Sequence, residues 1–352
     1  MISKMKILKI SNKFIGEKQP IFIIAEAGVN HNGRLKQAKK LVDIASEAGA
    51  DAVKFQTFKA ENLVTANLEL ADYVKKNIGK NLGQQEMIKS LELSYNDFRT
   101  LKNYCDKKEI IFLSTPHSFD AIDFLEDLVP TYKFGSGDIT NIPALKHAAK
   151  KGKPIILSTG MSTLNEINDA ITAIKSEGND QIVALHCTTN YPCPLDEVNL
   201  RAMITMQRKL DCLIGYSDHT TVITTSIIAA ALGAVAIEKH FTIDKNLPGP
   251  DHKASLEPKE LLHMIKEIRN AEKILGSYDK KPVMSEKKIM NLVRKSIVAK
   301  KNIEKGSIIT DDMIIIKRPG TGLKPVDIYK VVGRKAKRNI VKDESFQLEM
   351  VE

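Results

Sequence analysis

From Ile21 onward the chain repeats one pattern: a short apolar run that stops abruptly at polar residues, then a helical stretch. The runs begin at Ile21, Ala52, Ile110, Tyr132, Pro154, Gln181, Leu213 and Val235. Between them lie helical stretches such as 35–48 before Gly49, 142–150 before Gly152, 164–174 before Gly178 and 222–232 before Gly233. Runs that are apolar throughout, rather than alternating, are buried on both faces, as parallel strands covered by helices are. Eight such units in roughly 255 residues predict an α/β fold, a (β/α)8 TIM barrel; a doubly wound open sheet seldom holds so many regular units.

The barrel is expected over residues 1–276, with a short strand pair around Asn12 and Gly16 covering one end and a helix over 258–275 closing it. An irregular insertion follows residue 58, with helices at 85–91 and 95–108 beyond it. After Gly276 the rhythm stops. Residues 277–290 read as a charged linker. Residues 291–352 read as a small β-rich domain, its apolar pieces separated by turns at Lys305-Gly306 and Pro319-Gly320.

The net charge of +10 raises a nucleic-acid reading, and its distribution argues against one. Residues 281–352 hold 17 Lys+Arg against 9 Asp+Glu, so nearly all the excess sits in the small C-terminal segment. That segment has no helix-turn-helix, zinc-finger or aromatic-interleaved pattern, and a basic lobe beside an anionic substrate accounts for it. No apolar run approaches the roughly 18–20 residues of a membrane span. The charged N-terminus lacks the continuous apolar region of a signal peptide, and the four cysteines form no CxxC pair. The expectation is a cytoplasmic protein with neither nucleic acid nor membrane as partner.

In a barrel, chemistry gathers where strands end. All eight ends here are polar: Glu26 with Asn30-His31-Asn32; Lys54 and Gln56; Ser114-Thr115; Lys133, Ser136 and Asp138; Ser158-Thr159-Gly160; His186, Thr188 and Thr189; Ser217, Asp218 and His219; Glu238, Lys239 and His240. His219 and His240 end successive strands and can converge, and two imidazoles with open positions suit a divalent cation. His252, in the long polar loop 242–258 with Asp251, is a candidate third ligand. Lys54, Lys133 and Lys239 share the rim with Thr115, Ser136 and Ser217, which suits a phosphate or carboxylate. A Schiff-base lysine is the rival reading, and the paired histidines weigh against it.

Ten ordered stretches carry a resemblance: IAEAGVNHNG, VKFQTF, FLSTP, SGDITNIP, ILSTGM, HCTTNYP, GYSDHT, IEKHFT, GPDHKASLEP and KRPGTG. Together they resemble the bacterial sialic acid synthases, the N-acetylneuraminate, legionaminate and pseudaminate synthases. These condense phosphoenolpyruvate with an N-acylated mannosamine-type sugar. The likeness spans nearly the whole chain, and its last part resembles the antifreeze-like (SAF) module of that family. The resemblance implies that His219 and His240 hold a divalent metal, typically Mn2+, with Mg2+ or Co2+ as alternatives. It implies that Lys54, Thr115, Lys133, Ser136 and Ser217 hold phosphoenolpyruvate. Glu26, Gln56, Asp138, Tyr191, Asp251 and Arg318 would surround the sugar, with Glu26 and Asp251 as the catalytic candidates. It implies, finally, a domain-swapped homodimer in which Arg318 reaches the partner's site.

Two departures bear on the acceptor: Asp138 stands where the family usually has Glu, and Thr189 where some members have Asn. Two other readings share the barrel. One is another phosphoenolpyruvate–aldose synthase; the other is a non-catalytic barrel that binds a sugar acid or phosphate.

Overall fold

The computed structural model describes residues 6–65 and 83–352; most of the insertion expected after residue 58 lies outside them. The described chain divides into two compact units, Met1–Gly276 and Ser277–Glu352.

The first unit opens with a hairpin, β1 (Ile7–Ile10) and β2 (Lys13–Gly16), paired antiparallel. Among the described residues eight strands follow: β3 (Phe22–Gly28), β4 (Ala52–Thr57), β5 (Ile111–Pro116), β6 (Tyr132–Phe134), β7 (Ile155–Ser158), β8 (Ile182–His186), β9 (Leu213–Asp218) and β10 (Ala236–His240). They form one parallel sheet in the order β5-β4-β3-β10-β9-β8-β7-β6. The end strands β5 and β6 lie against each other, so the sheet curls into a nearly closed barrel. Helices alternate with the strands, from Leu35–Glu47 to Pro258–Leu275. Several start where the sequence supplies a cap: Ser94 with Asp97, and Thr163 with Glu166, form reciprocal capping boxes.

Side chains alternate across a strand, and that period sorts the core into two layers. Outward residues such as Ile23, Val53, Phe55, Phe112 and Ile237 pack against the helices. Inward residues Phe22, Ile24, Ala52, Leu113, Ile156, Val183, Leu185, Leu213 and Ala236 fill the barrel and meet Leu8, Ile10 and Ile15 of the hairpin. The hairpin therefore plugs the N-terminal end, and the inward positions further along each strand are left for polar groups.

In the second unit β11 (Ser296–Ala299) and β12 (Ile314–Lys317) pair antiparallel over a small core that includes Ile297, Ile309, Val331 and Phe346. Where the sequence reads as linker, Met284–Val293 is a helix. Its residues are mostly good helix formers, and Glu286 caps its start by accepting from the Val283 N–H at 3.0 Å.

Candidate active site

The inward parity of the strands continues past the apolar layer as Glu26 on β3, Lys54 and Gln56 on β4, Thr115 on β5, Lys133 on β6, Ser158 on β7, Ser217 on β9, and Glu238 and His240 on β10. All of these line a single cavity, joined by His117, Ser136, Tyr191 and His219 from the loops. Lys54, Lys133, Glu26 and Glu238 are each buried.

Charge is shared tightly here. Lys54 Nζ lies 2.7 Å from Glu26 Oε2 and 3.9 Å from Glu238 Oε2, while Lys133 Nζ lies 3.5 Å from Glu238 Oε1. Burial pushes the Glu26 carboxyl up to about 7 against the pull of Lys54. Glu238 is buried too, but Lys133 and Lys54 outweigh that and hold it below the usual carboxylate range. Burial works against the Lys54 ammonium, and Glu238 and Glu26 overcome it, so its pKa rises. Of the two carboxylates beside Lys54, Glu238 therefore carries the charge and Glu26 is the one able to exchange a proton near neutral pH. Burial lowers the Lys133 pKa.

Short donors complete the anion end. Lys54 donates to Thr115 Oγ1 at 3.1 Å and Lys133 to Ser158 Oγ at 2.6 Å. Ser136 Oγ accepts from the Gly160 N–H at 3.0 Å. A Cβ added at Gly160 would stand 2.1 Å from Thr189 Oγ1 and 2.8 Å from Ser136 Oγ, so a larger residue there would push these hydroxyls out of place.

At the other end, the rings of His219 and His240 are 5.6 Å apart, with Tyr191 at 4.2 Å from the first and 5.6 Å from the second. Burial lowers both imidazole pKa values, which keeps them in the neutral, ligating form. His219 Nδ1–H donates to the Thr188 carbonyl at 2.6 Å, so its Nε2 is the acceptor nitrogen, and the Ser217 hydroxyl reaches it only at a long 3.3 Å. His240 Nδ1 is buried with no hydrogen-bond partner among the described residues. Two neutral imidazoles, one meeting a single long hydroxyl contact and the other presenting an unpartnered nitrogen, fit a divalent cation. Among the described residues no group of three His, Cys, Asp or Glu side chains gathers for one, so water or substrate would fill the other positions, as in open catalytic sites.

A Cβ added at Gly28 would lie 3.3 Å from Glu26 Oε1, 3.4 Å from Gln56 Nε2 and 3.6 Å from Asp251 Oδ2, so these three groups converge over a backbone that only glycine leaves open. Asp251 Oδ2 is 4.0 Å from His240 Nδ1, and burial raises the Asp251 carboxyl to about 6. The site thus offers two ammonium groups for an anion, two imidazoles for a cation, and carboxyls that can move protons.

The NeuB family model matches residues 41–280, and the SAF domain model matches 294–352. The N,N'-diacetyllegionaminic acid synthase of Legionella pneumophila is 48% identical over 92% of this chain and 93% of its own. The synthase of the same name from Campylobacter jejuni is 47% identical over 92% and 97%. This chain belongs to the NeuB family of sialic acid synthases. Among solved structures, the N-acetylneuraminic acid synthetase of Leptospira borgpetersenii superposes on this NeuB-family chain with a TM-score of 0.72, at 35% identity. It covers 81% of this chain and 95% of its own.

Most of the residues singled out in the sequence of this NeuB-family member meet at the cavity or its rim, Asp138 standing 3.8 Å from His117 and Asp251 beside His240. Arg318 belongs to the second unit, exposed, its Nε donating to the Val293 carbonyl at 3.0 Å. Two expectations need correction. Lys239 is no rim cation: it alternates with Glu238 and His240, points out of the barrel and pairs with Asp218 at 2.9 Å. His252 is no third ligand, because its Nδ1 and Nε2 face Thr242 Oγ1 at 2.6 Å and Asn32 Oδ1 at 3.3 Å. Glu238 and Ser158 gained no role from the sequence, and His117 was missed. Strand parity would have found Glu238 and Ser158, two residues along the inward face from His240 and Ile156.

Proposed function

We propose that this NeuB-family synthase condenses phosphoenolpyruvate with an N-acylated mannosamine-type sugar and water, giving a nine-carbon 2-keto-3-deoxy acid and phosphate. The observation that carries this reading is the buried pair Lys54 and Lys133 facing the neutral pair His219 and His240 across one cavity. Two near relatives are named N,N'-diacetyllegionaminic acid synthases, which favours the 2,4-diacylamino-6-deoxy sugar as acceptor.

In this reading Lys54, Lys133, Thr115, Ser136 and Ser217 bind the phosphate and carboxylate of phosphoenolpyruvate, with Ser158 orienting Lys133. Fixed donors in a site that excludes water stabilise developing charge more strongly than solvent does. Gln56, Asp138, Tyr191 and Asp251 surround the sugar, and Arg318 joins them from the small unit of a second copy in a domain-swapped homodimer. His219 and His240 would hold a divalent cation, Mn2+ by preference, which would supply Lewis-acid polarisation of the aldehyde oxygen.

The enol carbon of phosphoenolpyruvate forms the new C–C bond to the aldehyde carbon, and the aldehyde oxygen gains a proton. Water adds to the adjacent carbon and gives up its proton. The C–O bond to phosphate then breaks, the remaining hydroxyl proton passes to the departing phosphate, and the ketone forms. Glu26, poised near neutral pH, and Asp251 are placed to take and return these protons at their carboxyl oxygens. The test is incubation with phosphoenolpyruvate, Mn2+ and a panel of mannosamine derivatives, with products identified by mass. Release of phosphate without a nine-carbon acid from any acceptor overturns the reading.

A further inference from the structure

His219 lies one residue past the end of β9, where the ladder to β10 has already stopped: Asp218 opposite Lys239 is the last pair in register. Among the described residues no strand pairing holds the turn that follows. Lys239 does so instead. Its ammonium has three N–H bonds, and acceptors surround it: Asp218 Oδ2 at 2.9 Å, the Thr220 carbonyl at 2.6 Å, the Val222 carbonyl at 3.1 Å and, more distantly, Thr220 Oγ1 at 3.3 Å. Asp218 is satisfied in turn. Its Oδ1 accepts from the Thr220 N–H at 2.9 Å, and its Oδ2 from Thr225 Oγ1 at 2.6 Å and Ser226 Oγ at 2.7 Å. Both charged side chains are fully buried.

The other side of the same turn is tied to the loop after β8. The Cys193 N–H donates to the His219 carbonyl at 2.8 Å, and His219 Nδ1–H donates to the Thr188 carbonyl. Lys239 adjoins His240 in sequence and grips the residues just past His219, so one side chain links the two strand ends that present the imidazoles. A buried ion pair is a costly way to gain stability, since apolar residues of similar volume often serve as well. Its full set of partners around one turn calls for a different account.

We propose that the Asp218–Lys239 pair is a positioning device for the cation site, fixing the separation of the His219 and His240 rings from outside the barrel. This rests on the proposed divalent-cation role of the two histidines. Partners that orient ligating side chains typically change metal affinity by about 10–100-fold when removed.

The experiment measures the Mn2+ dissociation constant by electron paramagnetic resonance, well below the melting temperature, alongside thermal melting. Lys239→Met is expected to raise the dissociation constant about tenfold or more. Asp218→Asn/Lys239→Met removes both charges, so it is expected to recover much of the melting temperature while keeping the weakened affinity. Leu101→Ala, in the layer between barrel and helices, is the control: it lowers the melting temperature and leaves the dissociation constant unchanged. If Lys239→Met does not fold, the double variant carries the comparison. Wild-type affinity in either folded variant overturns the positioning role alone. An unmodified protein that binds no Mn2+ overturns the cation reading, and this inference with it.

Discussion

His117 Nδ1 stands 3.8 Å from Asp138 Oδ2, with the His117 ring edge-on to Phe58 and lining the cavity. Burial, then Lys54 and Lys133, pushes the His117 pKa down to about 4, while burial raises Asp138 to about 6. Near neutral pH the pair is therefore a neutral imidazole beside a carboxylate, slightly too far apart for a direct hydrogen bond.

That gap leads to the first prediction. Asp138→Glu adds one methylene, roughly 1.5 Å of reach, enough to close on His117 or to move a carboxylate against the sugar. It should change the ratio of kcat/KM between N-acetylmannosamine and the 2,4-diacylamino-6-deoxy acceptor about tenfold, one hydrogen bond's worth. The KM for phosphoenolpyruvate should move less than about twofold, since its proposed ligands are untouched. An unchanged acceptor ratio would remove Asp138 from the sugar site.

The second prediction concerns the histidines. His219→Ala and His240→Ala should each abolish stoichiometric Mn2+ binding and cut turnover on the order of a thousandfold, a few kcal/mol of transition-state stabilisation. Both rings sit beyond the apolar layer of the barrel, so melting in the absence of metal should shift little. Metal content by atomic emission, read beside turnover, decides it: an active double variant free of metal sinks the cation reading.

The third prediction concerns stability in acid. His31 is 1% exposed, its Nδ1 accepting from the Gly33 N–H at 3.1 Å and its Nε2 buried without a partner among the described residues. Burial lowers its pKa from 6.5 to about 4. The unfolded chain thus binds a proton that the folded chain refuses. The stability His31 contributes is complete above the unfolded value of 6.5 and is lost as pH falls through about 4. The loss should reach roughly 2 kcal/mol by pH 5. Urea denaturation at several pH values should show a weaker acid dependence in His31→Asn; parallel curves for the two proteins would refute the assignment.

How far the sequence could be read depends on which residue is asked about. The barrel was legible because each strand is a short run apolar on both faces, and Glu26, Lys54 and Lys133 were legible because they end such runs. Lys239 was misread for the same reason. Being at a strand end says that a residue is near the mouth, but alternation decides whether it faces the mouth or the helices, and Lys239 faces the helices. His117 was missed because it lies one residue past β5, in a loop whose path no periodicity fixes. The helix Met284–Val293 hid within a charged stretch because charge suggested solvent, while Glu286 was quietly capping a helix.

The last prediction follows Arg318. It is exposed in a unit whose buried core is small, and a domain of that size gains stability by docking. The proposed dock is the barrel mouth of a second copy, where a basic unit would meet an anionic substrate and a guanidinium could grip the sugar. Two single variants, Arg318→Ala and His219→Ala, should each be inactive for different reasons. In a dimer that exchanges these units, a mixed pair joins the intact barrel of one chain to the intact arginine of the other. One of its two sites is then whole, and the second carries both lesions. Random mixing in equal amounts should restore about a quarter of wild-type activity. If Arg318 serves its own barrel, every site in the mixture keeps one lesion and no activity returns. Subunit exchange is verified separately with differently tagged chains, so a silent mixture with proven exchange excludes supply from the partner.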